Sequence, residues 1–154
     1  MMARRAALFL LALTSACAPA PGTSSTPGSG APMPAAIIEP YLKIQAALAA
    51  DSVENVRANA GDLATAAASL GSPAVKIDTS AAMLTSAGEL DDARDRFGRV
   101  SDAVITYMDG LHLTLPEGVR VAVCPADQKR WLQAGALISN PYSGSSAPPC
   151  GDFR

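Results

Sequence analysis

The chain has 154 residues, a formal net charge of −2 at pH 7 and 49% hydrophobic residues, with few aromatic ones. This length is enough for one domain with one hydrophobic core. The slightly acidic charge and the lack of a basic cluster argue against nucleic acid as a partner.

Residues 1–17 have the pattern of a bacterial lipoprotein signal peptide. A short basic region at Arg4 and Arg5 precedes the apolar run Ala6–Leu13. That run is too short to span a bilayer, which needs about 20 apolar residues. It ends in "LTSAC", a lipoprotein cleavage box in which Thr14 stands where leucine is more usual. The pattern predicts cleavage before Cys17 and lipidation of its side chain.

An ordinary secretory cut within "ACAPA" is the alternative for this segment. It is disfavoured because it would place Pro19 or Pro21 at the new N-terminus, and proline is a poor residue after a scissile bond. Acyl chains on Cys17 would anchor the protein in a membrane. We therefore expect a lipid-anchored protein of the bacterial envelope that faces the periplasm. Ala18, in place of an aspartate, favours the outer membrane.

Residues 18–34 are almost entirely Pro, Gly, Ser, Thr and Ala, without charge or apolar periodicity. Such a segment cannot bury enough apolar surface to offset its ordering entropy, so we predict a flexible tether. The remaining residues, 35–151, are expected to form a single helical domain close to the membrane surface.

Two helices are predicted at about 35–50 and 52–70 from apolar residues at intervals of three and four. Asp51 or Ser52 offers an N-cap for the second helix, with Glu54 placed as in a capping box, and Gly71 ends it. The first stripe consists of Ile37, Tyr41, Ile44 and Leu48, and the second of Val53, Val56, Ala60, Leu63, Ala67 and Leu70.

A third helical region is predicted at about 79–111. Within it, "SAGE" at 86–89 has two interpretations: a cap that begins a separate helix, or a glycine inside one long helix at a cost of about 1 kcal/mol. The fold class is therefore mainly α, an antiparallel bundle of three or four helices. The stripe of this region consists of Leu90, Phe97, Val100, Val104, Tyr107 and Leu111.

A small β-like or irregular cap is predicted at 116–151. Alternation of Val119, Val121 and Val123 with polar or small residues indicates a short strand, and "RWLQ" is a candidate for a second one. "NPYSG" at 140–144 has turn chemistry. The cap thus differs in character from the helices that precede it.

No catalytic pattern is visible in the chain. His112 is the only histidine, and neither Gly-x-Ser-x-Gly nor His-Glu-x-x-His occurs. Arg94, Arg96 and Arg99 lie among aspartates at helical spacing, which favours a solvated face of ion pairs. The sequence therefore predicts a protein that is not an enzyme.

The order of motifs in the second half resembles an uncharacterised helical domain of bacterial periplasmic proteins and lipoproteins. That domain is also appended to some membrane-fusion subunits of copper and silver efflux systems. Similar features are "YLKIQAALAAD", the Arg-x-x-Phe-x-x-x-Ser pattern of "ARDRFGRVSDAV", Cys124-Pro125, "WLQ", "NPYSG" and Cys150-Gly151. The resemblance covers about 36–151 and implies a role in soft-metal handling or docking to an efflux adaptor.

Two departures weaken the implied metal site. The family has methionines after Cys-Pro and three residues before the final cysteine, where this chain has Ala126 and Ala147. Two cysteines and two methionines would suit Cu(I). Without the methionines, only Cys124 and Cys150 remain as candidate ligands.

The cysteine pair has two interpretations. In an oxidising compartment, with Cys17 lipidated, Cys124 and Cys150 would form a structural disulfide. Alternatively, both thiolates would bind Cu(I) or another soft ion, and one device could alternate between the two states. Met33 lies in the tether, and Met83 and Met108 have the spacing of core residues, so none is an obvious further ligand.

Trp131 is expected to fill the seam between the cap and the helices, with Asn140, Pro141, Tyr142 and Gly144 as structural residues of the cap. The favoured function is a non-enzymatic, envelope-anchored helical module for soft-metal handling or efflux, by ion binding or adaptor docking. The alternative is a structural or interaction lipoprotein in which the cysteine pair only forms a disulfide.

Overall fold

A computed structural model describes residues 30–145 and 148–154, so the predicted signal peptide, Cys17 and most of the tether lie outside the described residues. The described part is mainly helical, with a small antiparallel sheet. Its elements are α1 (Ala35–Ala49), α2 (Val56–Ser69), a 3₁₀ turn (Ser72–Ala74), α3 (Val75–Leu84), α4 (Leu90–Leu111), β1 (Val119–Val123), β2 (Arg130–Ala134) and β3 (Asp152–Phe153).

Helix α1 follows its predicted limits and buries its predicted stripe. It begins after Pro34, and its four stripe residues are completely buried against the other elements. Each successive helix packs on the one before it: α1 on α2, α2 on α3 and α3 on α4. Three of the eight buried positions in α2 and α3 are alanines.

Helix α2 begins at Val56, four residues later than predicted, because the predicted capping box does not form. Asp51 and Asn55 both have left-handed backbone conformations, with φ of 58°. The Asp51 carboxylate binds residues far along the chain instead of the start of α2. Ser52 accepts a hydrogen bond from the Glu54 amide at 3.0 Å, which closes a local turn before the helix.

The predicted region 79–111 is two helices, which confirms the separate helix after "SAGE". The cap of that interpretation does not form, because Glu89 precedes α4 without a side-chain capping hydrogen bond. Helix α3 begins earlier, at Val75, after a 3₁₀ turn that contains Pro73. Side chains from neighbouring helices hold the break between α3 and α4. Arg57 donates to the Ala87 carbonyl at 2.7 Å, and Arg96 donates to the Met83 carbonyl at 2.7 Å. These bonds satisfy carbonyl groups that a continuous helix would have used itself.

The C-terminal part forms a three-stranded sheet in the order β2-β1-β3, of which β1 and β2 lie in the predicted cap and β3 (Asp152–Phe153) lies just beyond it. Strands β1 and β2 are antiparallel, with Val121 opposite Leu132, and both segments were predicted as strands. Strand β3 was not predicted; its two residues pair with the end of β1. Strand β2 packs on α1 and α4, so the sheet lies against the first and last helices.

The chain is already packed before the predicted end of the tether at Pro34. The Met33 amide donates to the Thr114 carbonyl at 2.8 Å, and the Thr114 amide donates to Ala31 at 2.9 Å. Met33 is 3% exposed, so it belongs to the core and not to a free linker. Of residues 30–154, apart from the undescribed pair 146–147, none belongs to a helix with the length and hydrophobicity to cross a bilayer.

Candidate functional site

The cysteines predicted to be neighbours are joined in a disulfide. Cys124 directly follows β1, and Cys150 lies two residues before β3, so the pairing of these strands brings them together. Their Cα atoms are 5.2 Å apart and their sulfur atoms are bonded. Cys124 is buried and Cys150 is partly buried. The disulfide, one of the two predicted states of this cysteine pair, is therefore the state that the structure has.

Trp131 of β2 is fully buried. Its indole N–H donates to Gln133 Oε1 at 2.8 Å. The same oxygen accepts the Ser139 amide at 3.0 Å, and Gln133 Nε2 donates to the Leu137 carbonyl at 2.7 Å. The Gln133 side chain thus forms hydrogen bonds with both the Trp131 indole and the backbone of the turn that follows β2. The sequence did not indicate this role.

Asn140 organises the turn that leads back to the disulfide. Its Oδ1 accepts the Tyr142 amide at 2.8 Å, and its Nδ2 donates to the Cys150 carbonyl at 2.9 Å. The Gly144 amide then donates to the Asn140 carbonyl at 3.1 Å. The "NPYSG" turn and the disulfide therefore form one connected unit. We call Cys124, Trp131, Asn140, Tyr142 and Cys150 the C-terminal joint.

Tyr41 of α1 connects the helices to the sheet. Its hydroxyl accepts the Leu132 amide at 3.0 Å and lies 2.5 Å from Ser101 Oγ. Ser101 donates to the Arg130 carbonyl at 2.9 Å, so Tyr41 is the donor to Ser101. Tyr142 donates to that same carbonyl at 2.8 Å. Desolvation by burial raises the pKa of Tyr41 and of Tyr142 well above the ordinary value, so both stay neutral.

Aromatic rings surround this hydrogen-bond network. Phe97 of α4 lies between Tyr41 and Tyr142, with ring centroids 5.2 Å and 5.9 Å away. Trp131 meets Tyr142 edge to face at 5.9 Å. These separations are those of favourable aromatic pairs. Residues from α1, α4 and the cap thus share one packed cluster.

Arg94 and Asp51 hold the turn after Asn140 against the helices. Arg94 contacts Asp51 Oδ1 at 2.5 Å and donates to the Pro141 carbonyl at 3.1 Å. The other Asp51 oxygen accepts the Ser145 amide at 3.0 Å and the Ser145 hydroxyl. Hydrogen bonds from Ser145 and from Arg94 lower the pKa of Asp51 to about 2. Arg94 is therefore a structural residue, unlike its predicted place on a solvated face.

Gly144 is required by the same contact. Its φ is +70°, and a Cβ atom there would overlap the Asp51 carboxylate and the Arg94 guanidinium. The other two arginines of the predicted charged face do form pairs at i,i+4, Arg96 with Asp92 and Arg99 with Asp95. Only Arg94 among the three reaches the C-terminal joint.

The oxidised cysteine pair does not fit a Cu(I) ion. Both sulfur atoms are bonded to each other, so neither is a thiolate, the form that binds metal. Within residues 30–145 and 148–154, no three His, Cys, Asp or Glu side chains form a group that could hold a metal ion. Met33 and Met108 belong to the core, and Met83 is partly exposed on α3. A metal would require the reduced pair.

Comparison with known proteins does not identify the chain: no protein-family model matches it, and no curated protein or solved structure is significantly similar. The resemblance to the helical domain of periplasmic proteins therefore stays a prediction carried by the quoted motifs.

Proposed function

We propose that this protein is a non-enzymatic lipoprotein of the bacterial envelope. Its folded part, an antiparallel helical bundle closed by a disulfide-bonded tail, acts as a rigid interaction module held near the membrane by Cys17.

The observation that carries the proposal is that the C-terminal residues singled out in the sequence bond to residues of this fold. Cys124 and Cys150 bond to each other. The Trp131 indole N–H donates to Gln133, and the Asn140 side-chain amide donates to the Cys150 carbonyl. Buried polar groups satisfied in this way stabilise a particular packing. This favours a structural disulfide over a metal-binding pair.

Thiol counting and Cu(I) competition test this proposal. The full chain is assayed for reactive thiols with and without reductant, and the reduced form then competes with a chromogenic Cu(I) chelator. The control is the double variant Cys124→Ser/Cys150→Ser, which keeps Cys17 unchanged. We expect two additional thiols after reduction and no difference in Cu(I) affinity between the two chains. Tighter Cu(I) binding by the reduced parent would overturn the structural role and support soft-metal handling.

Anchoring is tested separately by mass spectrometry of the mature N-terminal peptide. The expected result is an acylated Cys17 as the first residue. An unmodified Cys17, or a first residue beyond it, contradicts the lipoprotein assignment without affecting the disulfide. Docking to a metal-efflux adaptor remains a prediction of the resemblance, and it requires a direct binding measurement with such an adaptor.

A further inference from the structure

Residues 148–154, which include β3, form a short segment that we call the strap. None of its residues is buried: Cys150, Gly151 and Phe153 are partly exposed, and the others are exposed. Strand β3 itself consists of two residues only. A segment near a chain end with so little buried surface stays ordered only where other contacts tie it down.

The strap covers one edge of the Trp131 indole. A Cβ atom added to Gly151 would lie 2.8 Å from Cη2 of Trp131 and 2.9 Å from Cγ2 of Ile138, so the backbone of the strap packs directly against both side chains. Trp131 is completely buried, although no residue of the strap is. It is also the only tryptophan in the chain. Its burial therefore depends in part on the position of the strap.

The other noncovalent contacts of the strap within the described residues are few. Asn140 Nδ2 donates to the Cys150 carbonyl at 2.9 Å. Strand β3 pairs with two residues of β1, and one further backbone hydrogen bond follows it at Arg154. The Arg120 guanidinium stacks on the Phe153 ring, with its Cζ atom 3.5 Å from the ring centroid. Such contacts at exposed sites each add little net stability, because water competes for the same groups.

The bond between Cys124 and Cys150 is therefore the main tie of the strap. Cys124 directly follows β1 and is 4% exposed, whereas Cys150 is partly exposed. Thiol–disulfide exchange begins when a thiolate attacks one sulfur of the disulfide, and it requires access to that sulfur. Since Cys150 is the more exposed of the two residues, we expect the attack there.

The helices have contacts of their own that do not involve the strap. They pack on one another and on β2, whereas β3 packs on β1. The Tyr41 hydroxyl of α1, for example, accepts the Leu132 amide of β2. Release of the strap leaves these contacts in place, so the opening is local and not a global unfolding.

We propose that the disulfide is a redox switch: its reduction releases the strap and exposes Trp131 while the helices stay folded. A thiolate of a dithiol reductant attacks Cys150 Sγ and forms a mixed disulfide, and Cys124 leaves as a thiolate. The second thiolate of the reductant then attacks its own sulfur in the mixed disulfide, and Cys150 leaves as a thiolate. The reductant ends as a disulfide, and the two protein thiolates take up the two protons that its thiols lose.

Fluorescence of the single tryptophan tests the switch. The full chain is measured with and without dithiothreitol, with acrylamide as the quencher, and far-UV circular dichroism is recorded on the same samples. The matched control is Cys124→Ser/Cys150→Ser, which has no disulfide to reduce. We expect reduction to raise the quenching constant of Trp131 about twofold or more while the helix content stays constant. The control should be quenched like the reduced parent under both conditions.

Two results would overturn the proposal. Unchanged quenching means that the strap stays closed without the disulfide, and a loss of helix content on reduction means that the fold opens as a whole. The inference rests on the disulfide of the proposed function and is independent of anchoring at Cys17. Tighter Cu(I) binding by the reduced chain is a separate readout, so a failure of the structural role and a failure of the switch can be told apart.

The point of attack is tested with glutathione and N-ethylmaleimide. Glutathione that attacks Cys150 stays on that residue, and N-ethylmaleimide traps the thiolate of Cys124 before it can reverse the exchange. Mass spectrometry of the two cysteine peptides should show this pattern in about fivefold or greater excess over the reverse one. Equal or reversed labelling overturns the attack at the strap.

Discussion

Helices α2 and α3 and the C-terminal joint are held together by different kinds of contact. In α2 and α3 four of the eight buried side chains are alanine or serine, and the hydroxyl groups bond to their own helix, as Thr65 does to the Gly61 carbonyl. Around the joint, polar groups of the helices bond to residues far along the chain: Tyr41 to Leu132 and Asp51 to Ser145 span more than 90 residues. Stability is therefore spread thinly over the helix pair and concentrated in a few residues of the joint.

Replacing the buried tryptophan is expected to have the largest effect. Trp131→Ala removes a fully buried side chain and should lower the free energy of unfolding by about 3–5 kcal/mol. Urea unfolding followed by circular dichroism measures the change. Leu137→Ala, at an exposed position of the neighbouring turn, is the control and should have almost no effect. A loss below about 2 kcal/mol for Trp131→Ala would show that the joint is not where stability is concentrated.

Removal of the disulfide should come next. Cys124→Ser/Cys150→Ser opens a loop with a sequence separation of 26 residues and should lower the free energy of unfolding by about 3.5 kcal/mol in the chain-entropy model. The measurement is the urea midpoint, compared with that of the parent chain. The parent in reductant should shift in the same direction. If reduction leaves the midpoint unchanged, the disulfide does not stabilise the fold.

Deleting one hydroxyl group in each region compares the two directly. Tyr41→Phe leaves the buried Leu132 amide without its partner and should cost about 1–3 kcal/mol. Thr65→Ala removes a hydroxyl that bonds within α2 and should change stability by less than about 0.5 kcal/mol. Both are measured by urea unfolding. Equal losses would contradict the distinction between local and long-range contacts.

The smallest expected effect is a pH dependence from Asp51. Its pKa is lowered from 3.8 to about 2 in the folded state, so the unfolded chain binds more protons between these values. The stabilisation is therefore complete above about pH 4 and is lost as the pH falls towards 2. Urea midpoints from pH 2 to 5 should fall more steeply for the parent than for Asp51→Asn. Parallel curves would show that Asp51 does not contribute to the acid sensitivity.

Much of the helical part was predictable because its signal is local. The stripe of α1, from Ile37 to Leu48, repeats at intervals of three and four, and the observed helix buries all of it. The alternation of valines likewise predicted β1, and exclusion of Cys17 left one pair of cysteines to bond. In each case the pattern lies within a few residues or follows from counting.

The contacts that surround the joint and attach it to the helices were missed because most of them are not local. Tyr41 occupies an ordinary stripe position, and nothing near it in sequence indicates that its hydroxyl binds Leu132. Asp51 has the position of a helix cap, but Arg94 and Ser145 take its carboxylate. A local rule for capping is overridden when a distant charged group competes for the same oxygen atoms. Of these residues, Gln133 came closest to being predicted, because it directly follows the Trp131-Leu132 pair in the "WLQ" motif.

The bond between Cys124 and Cys150 makes a covalent ring of the segment between them, and that ring contains the exposed turn at Gly135–Leu137. Exposed turns are where proteases cut first. A single cut beside Leu137 therefore leaves both fragments attached to each other, so nicked molecules keep their full mass until a reductant separates the pieces. Damage at this turn would pass unnoticed on a non-reducing gel.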